Sequence, residues 1–196
     1  MNKQYLFFDT ETTGLPLSWS APLTDFANWP RLVQLAWSAY SADGVHIKSE
    51  SAIVLPDGFE IPKAASDIHG ITTERARREG ESLLLVLKNF HDQILKADIL
   101  IGHNISFDEK VVGVEFLRLD LPRITPPRKR VCTMLSSTRH CEIPSAGCGG
   151  FKWPKLTELH QKLFSCEFDG AHDAGFDVAA TVKCFWKLEQ LGVIKI

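Results

Sequence analysis

A three-layer α/β domain, with a mixed central sheet and helices on both faces, is the fold class this sequence predicts. The opening third reads as three strand-like segments joined as a meander, and the remainder alternates helical and strand-like stretches. An apolar content of 44% in 196 residues is enough for one sizeable core, so a single domain over 1–196 is expected.

The first strand is expected over about Tyr5 to Thr10, and a loop rich in Pro, Trp and Ser follows from Leu17 to Pro30. Leu32 to Tyr40 reads as the second strand, Ala42-Asp43-Gly44 as a turn, and His46 to Leu55 as the third. Thr72 and Thr73 are placed to cap a short helix from Glu74. Leu83 to Lys96 is amphipathic, with Leu84, Leu87, Phe90, Ile94 and Leu95 forming its apolar stripe. Asp98 to Gly102 is a short buried strand, and a helix carrying Phe107, Val111 and Val114 starts near Asn104 or Ser106. Val131 to Met134 is the expected last strand, Glu142 to Pro154 a glycine-containing loop, and the final helices span about Lys155 to Phe164 and Asp173 to Leu191. No internal repeat or low-complexity tract interrupts this order.

Formal net charge is −2 and the isoelectric point lies near 6.4. A chain that wraps nucleic acid or coats an acidic membrane carries a basic excess, so any nucleic-acid handling here is confined to a local site. No apolar stretch reaches bilayer-spanning length, and Met1-Asn2-Lys3-Gln4 lacks a signal-peptide pattern. Five cysteines fit free thiols in a reducing compartment, so a cytoplasmic location without membrane association is expected.

Chemistry gathers around four acids. Asp9 and Glu11 end an apolar strand, and residues i and i+2 of a strand share a face, roughly 6.5–7 Å apart. Their repulsion is offset by a cation, or they are a solvated strand end running into the Thr12-Thr13-Gly14 turn. Asp108 lies in the first turn of a helix, where the helix dipole favours an acid and where open α/β sheets also bind ligands. Asp177 shares a stripe with Thr181, Cys184 and Leu188 on the face that packs on the sheet. A buried carboxylate needs a partner, either a metal shared with Asp9 and Glu11 or a basic side chain. His172 precedes that helix, with Asp173 as its N-cap; it is a general base near the metals or a surface residue.

Taken together, Asp9-Thr10-Glu11-Thr12-Thr13-Gly14, His103-Asn104-Ile105-Ser106-Phe107-Asp108 and His172-Asp173-Ala174-Gly175-Phe176-Asp177 resemble the three motifs of the DEDDh 3′–5′ exonucleases. They stand in the family's order and span nearly the whole chain. The resemblance implies a ribonuclease H-like fold and two divalent cations, Mg²⁺ or Mn²⁺, which suit oxygen-only ligands. It implies that Asp9, Glu11 and Asp177 hold the first ion, that Asp9 bridges to the second, and that Asp108 approaches the second directly or through water. By the same resemblance His172 takes a proton from the attacking water and the product is a nucleoside 5′-monophosphate. Thr12, Thr13 and Gly14 become substrate contacts, Leu15 and Ile71 wedge the terminal base, and His69, His103, Asn104 and Phe107 line the last nucleotide's pocket. The implied partner is nucleic acid with a free 3′ end, with a polymerase or repair protein as a further partner; a site that threads one 3′ end, on a chain of modest net charge, favours single-stranded DNA.

Two departures stand out. Pro16 to Arg31 is longer than the usual turn after the first motif, and its Trp19, Phe26 and Trp29 either stack unpaired bases or pack the loop, with packing favoured. Gly175-Phe176 replaces the larger-then-small pair of many relatives. The basic run Arg123, Arg128, Lys129 and Arg130 is a phosphate contact or a solvated loop. Cys132, Cys141, Cys148 and Cys166, with His140, lack any paired C-x₂-C, which argues against structural zinc. An RNA-directed exonuclease is the competing enzyme, and a non-catalytic nucleic-acid or polymerase-binding relative is the competing class.

Overall fold

Apolar residues on both faces of the first strand place it inside the sheet. In the computed structural model, which describes residues 3–122, 126–127, 129–147, 149–168 and 170–196, β1 (Gln4–Thr12) sends Leu6 and Phe8 into one core cluster and Tyr5 and Phe7 into another. β2 (Leu32–Ser41) runs antiparallel to β1 and divides in the same way, Leu35, Trp37 and Ala39 to one side and Ala36 to the other. β3 (His46–Ile53) returns antiparallel to β2 after a turn in which Gly44 takes φ +83°. β4 (Ile99–Gly102) pairs parallel with β1, and β5 (Lys129–Cys132) parallel with β4, giving the order β3-β2-β1-β4-β5. The expected meander and mixed sheet are both present.

The helices are α1 (Lys63–His69), α2 (Thr73–Glu79), α3 (Leu83–Ile94), α4 (Ile105–Arg118), α5 (Thr133–Cys141), α6 (Leu156–Phe164) and α7 (Ala174–Gln190). α3 and α4 supply Leu87, Phe90, Val111 and Phe116 to the cluster on one sheet face. On the other face α7 contributes Val178, Val182, Phe185 and Leu188, joined by Leu159 of α6 and Cys141 of α5. A smaller cluster joins Val33 to Ala65 of α1 and Ala76 of α2. Two helix-bearing faces around one sheet make the three layers. Among the described residues, no helix is long and apolar enough to cross a membrane.

Several expected boundaries need correction. The third strand ends at Ile53, and Val54 makes only an isolated bridge to Glu81. On α3 the buried side chains are Val86, Leu87, Phe90 and Ile94, whereas Leu84 and Leu95 are exposed, so the stripe is rotated from the expected one. The last strand lies at Lys129–Cys132, and Thr133 and Met134 open α5. α5 escaped the periodicity argument because its inward positions, Thr133, Met134, Ser137 and Cys141, are mostly small and polar. α1 was missed although Pro62 and a left-handed Gly70 (φ +71°) punctuate it at either end. Arg123, Arg128 and Cys148 lie outside the described residues; Lys129 and Arg130 are exposed, and Arg130 forms an ion pair with Glu109.

Candidate active site

Strand register creates the site. β1 pairs with β4 only from Tyr5↔Ile99 to Phe7↔Ile101, so Asp9 and Glu11 continue past the last paired residue of β4. β4 ends at Gly102, where a Cβ would come within 3.2 Å of Ile105, and the chain turns through left-handed Asn104 (φ 67°) into α4. One turn later, buried Asp108 accepts hydrogen bonds at Oδ1 from Thr10 N–H (3.1 Å) and Thr10 Oγ1 (2.6 Å). The third acid is thereby tied to β1 between the first two.

α7 brings the remaining motif to the same edge. Asp173 caps it, with Oδ1 accepting from the N–H groups of Gly175 (2.9 Å) and Phe176 (3.3 Å). Asp177 lies one turn inside, and His172, exposed and at φ +70°, donates its backbone N–H to Asp177 Oδ2 (3.2 Å). Carboxylate oxygens of Asp9, Glu11 and Asp177 all lie within 4.8 Å of one another. It is the one such group of metal-ligating side chains among the described residues, and Asp108 stands outside it.

Burial, followed by the charges of Asp108, Asp177, Glu11 and Asp173, raises the Asp9 carboxyl well above its usual range. Burial and then the neighbouring acids push Glu11 up to about 8. Asp108 rises to about 7 through burial, opposed by its Thr10 hydrogen bonds. Asp177 rises to about 6 by burial, opposed by the His172 backbone N–H and ring charge. Carboxylates this close resist ionising together unless a cation joins them. All the donors are oxygens, so the group fits a hard divalent ion. The described cysteines form no comparable group.

The other expected residues divide into surface and core. Leu15 is 72% exposed beyond the β1 turn, whereas Ile71 is fully buried with Val33, Ile61, Ala65 and Ala76. The side chain expected to wedge the terminal base thus packs in the core beneath the site. Thr12 Oγ1 donates to Gly14 O (2.6 Å), and Thr13 Oγ1 accepts from Arg31 N–H (2.9 Å), so both hydroxyls shape the turn. His69 is buried with Nδ1 accepting from Ile71 N–H (3.1 Å), and its Nε2 has no hydrogen-bond partner among the described residues. Burial holds its pKa below the usual value, against a nearby Thr12 backbone group that favours the charged form.

His103 is committed to structure. Its Nε2 lies 3.0 Å from Pro154 O, which can only accept, so Nδ1 accepts from Thr133 Oγ1 at 3.0 Å. Burial lowers its pKa to about 4, so the ring is neutral. Phe107 is half-buried on the core and lies 5.7 Å, centroid to centroid, from the 51% exposed ring of Trp19. Trp29 is buried and donates Nε1–H to Pro22 O (3.1 Å).

Sequence reasoning missed what anchors the long loop. Fully buried Glu115 Oε1 accepts from Arg31 Nε (3.0 Å), Leu32 N–H (3.0 Å) and an Arg118 terminal nitrogen (2.9 Å). Arg118 also donates to the carbonyls of Phe26, Trp29 and Pro30. The available signal was an acid inside the run Val111-Val112-Gly113-Val114-Glu115-Phe116.

A ribonuclease H-like sheet with acids converging at its carboxyl edge defines an enzyme class that uses divalent metal on phosphodiesters. A family model described as Exonuclease (RNase T) matches residues 6–185. The chain belongs to this family, the DEDD-type 3′–5′ exonucleases that its motifs resemble. It is 32% identical over 179 residues to DNA polymerase III PolC-type of Streptococcus pyogenes, covering 90% of this chain and 10% of the polymerase. Among solved structures, E. coli exonuclease I in complex with a dT13 oligonucleotide superposes with a TM-score of 0.73 at 25% identity, over 96% of this chain and 41% of that one. A product-bound exonuclease I gives a TM-score of 0.74 at 21% identity, covering 98% and 45% of the two chains. This chain therefore spans only a minor part of each of these relatives.

Proposed function

We propose that this chain, acting as one exonuclease domain over 1–196, removes nucleotides from the 3′ end of DNA and releases nucleoside 5′-monophosphates. The observation that carries the reading is the convergence of Asp9, Glu11 and Asp177 oxygens within 4.8 Å, with His172 on the turn that leads to Asp177. Asp9, Glu11 and Asp177 would hold one Mg²⁺ or Mn²⁺, and Asp9 with Asp108 a second. Two such ions, when bound, stabilise charge on the attacking and leaving oxygens of an in-line displacement.

The chain's own groups supply the rest. His172, exposed beside the acids, accepts a proton from the attacking water. Thr10 keeps Asp108 against β1. Leu15, His69, Asn104 and Phe107 are the groups assigned to the terminal nucleotide, with Thr12, Thr13 and Gly14 contributing the turn beneath it. DNA is favoured over RNA by the likeness to exonuclease I, which was crystallised with a DNA oligonucleotide. A polymerase-linked role is the reading suggested by the PolC-type relative.

Digestion of 3′- and 5′-labelled DNA and RNA, single- and double-stranded, with Mg²⁺, Mn²⁺ or EDTA tests the proposal. Mononucleotides released from DNA 3′ ends, lost in EDTA and regained with metal, are expected. Full activity in EDTA or release from the 5′ end refutes it, and faster digestion of RNA moves the substrate to the competing enzyme.

A further inference from the structure

Gln34 is a buried amide in the otherwise apolar run Leu32-Val33-Gln34-Leu35, and it stands in register opposite the metal acid Glu11. All of its hydrogen-bonding groups are committed in one direction. Nε2 donates to Asp173 Oδ2 (3.1 Å) and to Ser51 Oγ (3.1 Å), and Oε1 accepts from Ala174 N–H (3.1 Å). Asp173 and Ala174 are the N-cap and first residue of α7, immediately after His172 and one turn before Asp177. A single side chain on β2 thus grips the start of the helix that carries both the proposed base and a metal acid.

The unusual Gly175 belongs to the same contact. A Cβ there would lie 3.1 Å from Asp173 Oδ1 and 3.5 Å from Ser51 Oγ, so a larger residue would crowd the first turn of α7 against β3. Asp173, for its part, divides its carboxylate between capping α7 and accepting from Gln34. The donor pattern is specific: a glutamate at position 34 would turn a carboxylate toward Asp173, and an apolar residue would leave Ala174 N–H and Asp173 Oδ2 without partners.

We infer that Gln34 is a positioning residue for catalysis: through Asp173 and Ala174 it sets where α7 presents Asp177 and His172 to Asp9 and Glu11. The inference rests on the exonuclease reading above. A misplacement of about 1 Å in a reacting group can cost on the order of 10²-fold in rate.

The test is steady-state kinetics on a 3′-labelled oligonucleotide with saturating Mn²⁺, alongside thermal melting, for the parent, Gln34→Glu, Gln34→Met, and Gln34→Glu combined with Asp173→Asn. Gln34→Glu and Gln34→Met are expected to lower kcat by up to about 10²-fold with KM little changed. The double variant exchanges donor and acceptor: the amide introduced at position 173 donates to the carboxylate introduced at position 34, and asparagine still caps the helix. It is expected to recover most of the lost kcat. Parent-like kcat in both single variants, or a double variant no faster than Gln34→Glu, overturns the assignment. A lower melting temperature with undiminished kcat marks Gln34 as structural only and overturns it equally. An inactive parent counts against the exonuclease reading itself, whereas an active parent with unaffected variants counts against Gln34 alone.

Discussion

The backbone N–H of His172 donates to Oδ2 of Asp177 across 3.2 Å, so the proposed base and a metal acid ride on one loop-to-helix turn. Their roles separate by mutation. Asparagine tolerates the positive φ found at residue 172, so His172→Asn keeps the backbone and removes the imidazole. Turnover is expected to fall by roughly 10²–10⁴, the usual worth of a general base, with Mn²⁺ affinity retained. Single-turnover rates beside calorimetric Mn²⁺ titration check this; unchanged turnover at neutral pH excludes His172 from the mechanism.

The acidic group makes the metal-free protein sensitive to alkali. Folded Asp177, Asp108 and Glu11 titrate near 6, 7 and 8, above their ordinary values of 3.8 to 4.5. The folded state then binds more protons than the unfolded one, so their contribution favours folding at pH 4 and is lost as pH rises through 6 to 8. In EDTA the melting temperature is expected to fall across that window, and Mg²⁺ or Mn²⁺ to restore it at pH 8. A melting temperature that rises with pH in EDTA would contradict this account.

Asp9, the acid surrounded by four others, is the member whose neutralisation relieves the most repulsion. Asp9→Asn is expected to raise the melting temperature in EDTA at pH 8 while abolishing metal-dependent hydrolysis, a trade of activity for stability. Paired melting and activity assays read both effects. A destabilised Asp9→Asn protein would show that repulsion is not what limits the metal-free fold.

Glu115 holds Arg31 and Arg118 in a largely buried cluster that pins the long loop. Removing one partner of such a cluster leaves unpaired charge, at a cost of about 3–5 kcal/mol. Urea denaturation of Glu115→Ala should show a loss of this size; a change below about 1 kcal/mol would assign the pair to the weak surface class.

The two loop tryptophans are expected to behave differently. Trp29 is buried and hydrogen-bonded, so Trp29→Ala should cost about 3–5 kcal/mol of stability. Trp19 lies half-exposed against Phe107, next to Asp108, so Trp19→Ala should weaken single-strand binding by about 1–3 kcal/mol with little loss of stability. Fluorescence titration with unpaired oligonucleotides and urea melts distinguish them. Unaltered affinity in Trp19→Ala would make that ring another packing contact.

The amino-acid sequence by itself determined the architecture and the identity of the converging acids. Near-continuous apolar runs in β1 and β2 announce strands buried on both faces, and the 3.6-residue stripe of α7 carries Asp177 toward the sheet. These are local periodicities, legible because each element repeats its own geometry. Tertiary structure decided what depends on neighbours distant in the chain: that Ile71 turns inward, that both His103 nitrogens are spent on Thr133 and Pro154, and that Glu115 gathers two arginines. It also decided that α5 is a helix, since its inward positions are mostly small polar residues whose burial depends on the surrounding α6 and α7. Hydrogen-bond partners and burial are set by packing between segments up to 140 positions apart, as for Gln34 and Ala174, and a linear pattern does not encode which of its polar residues will meet.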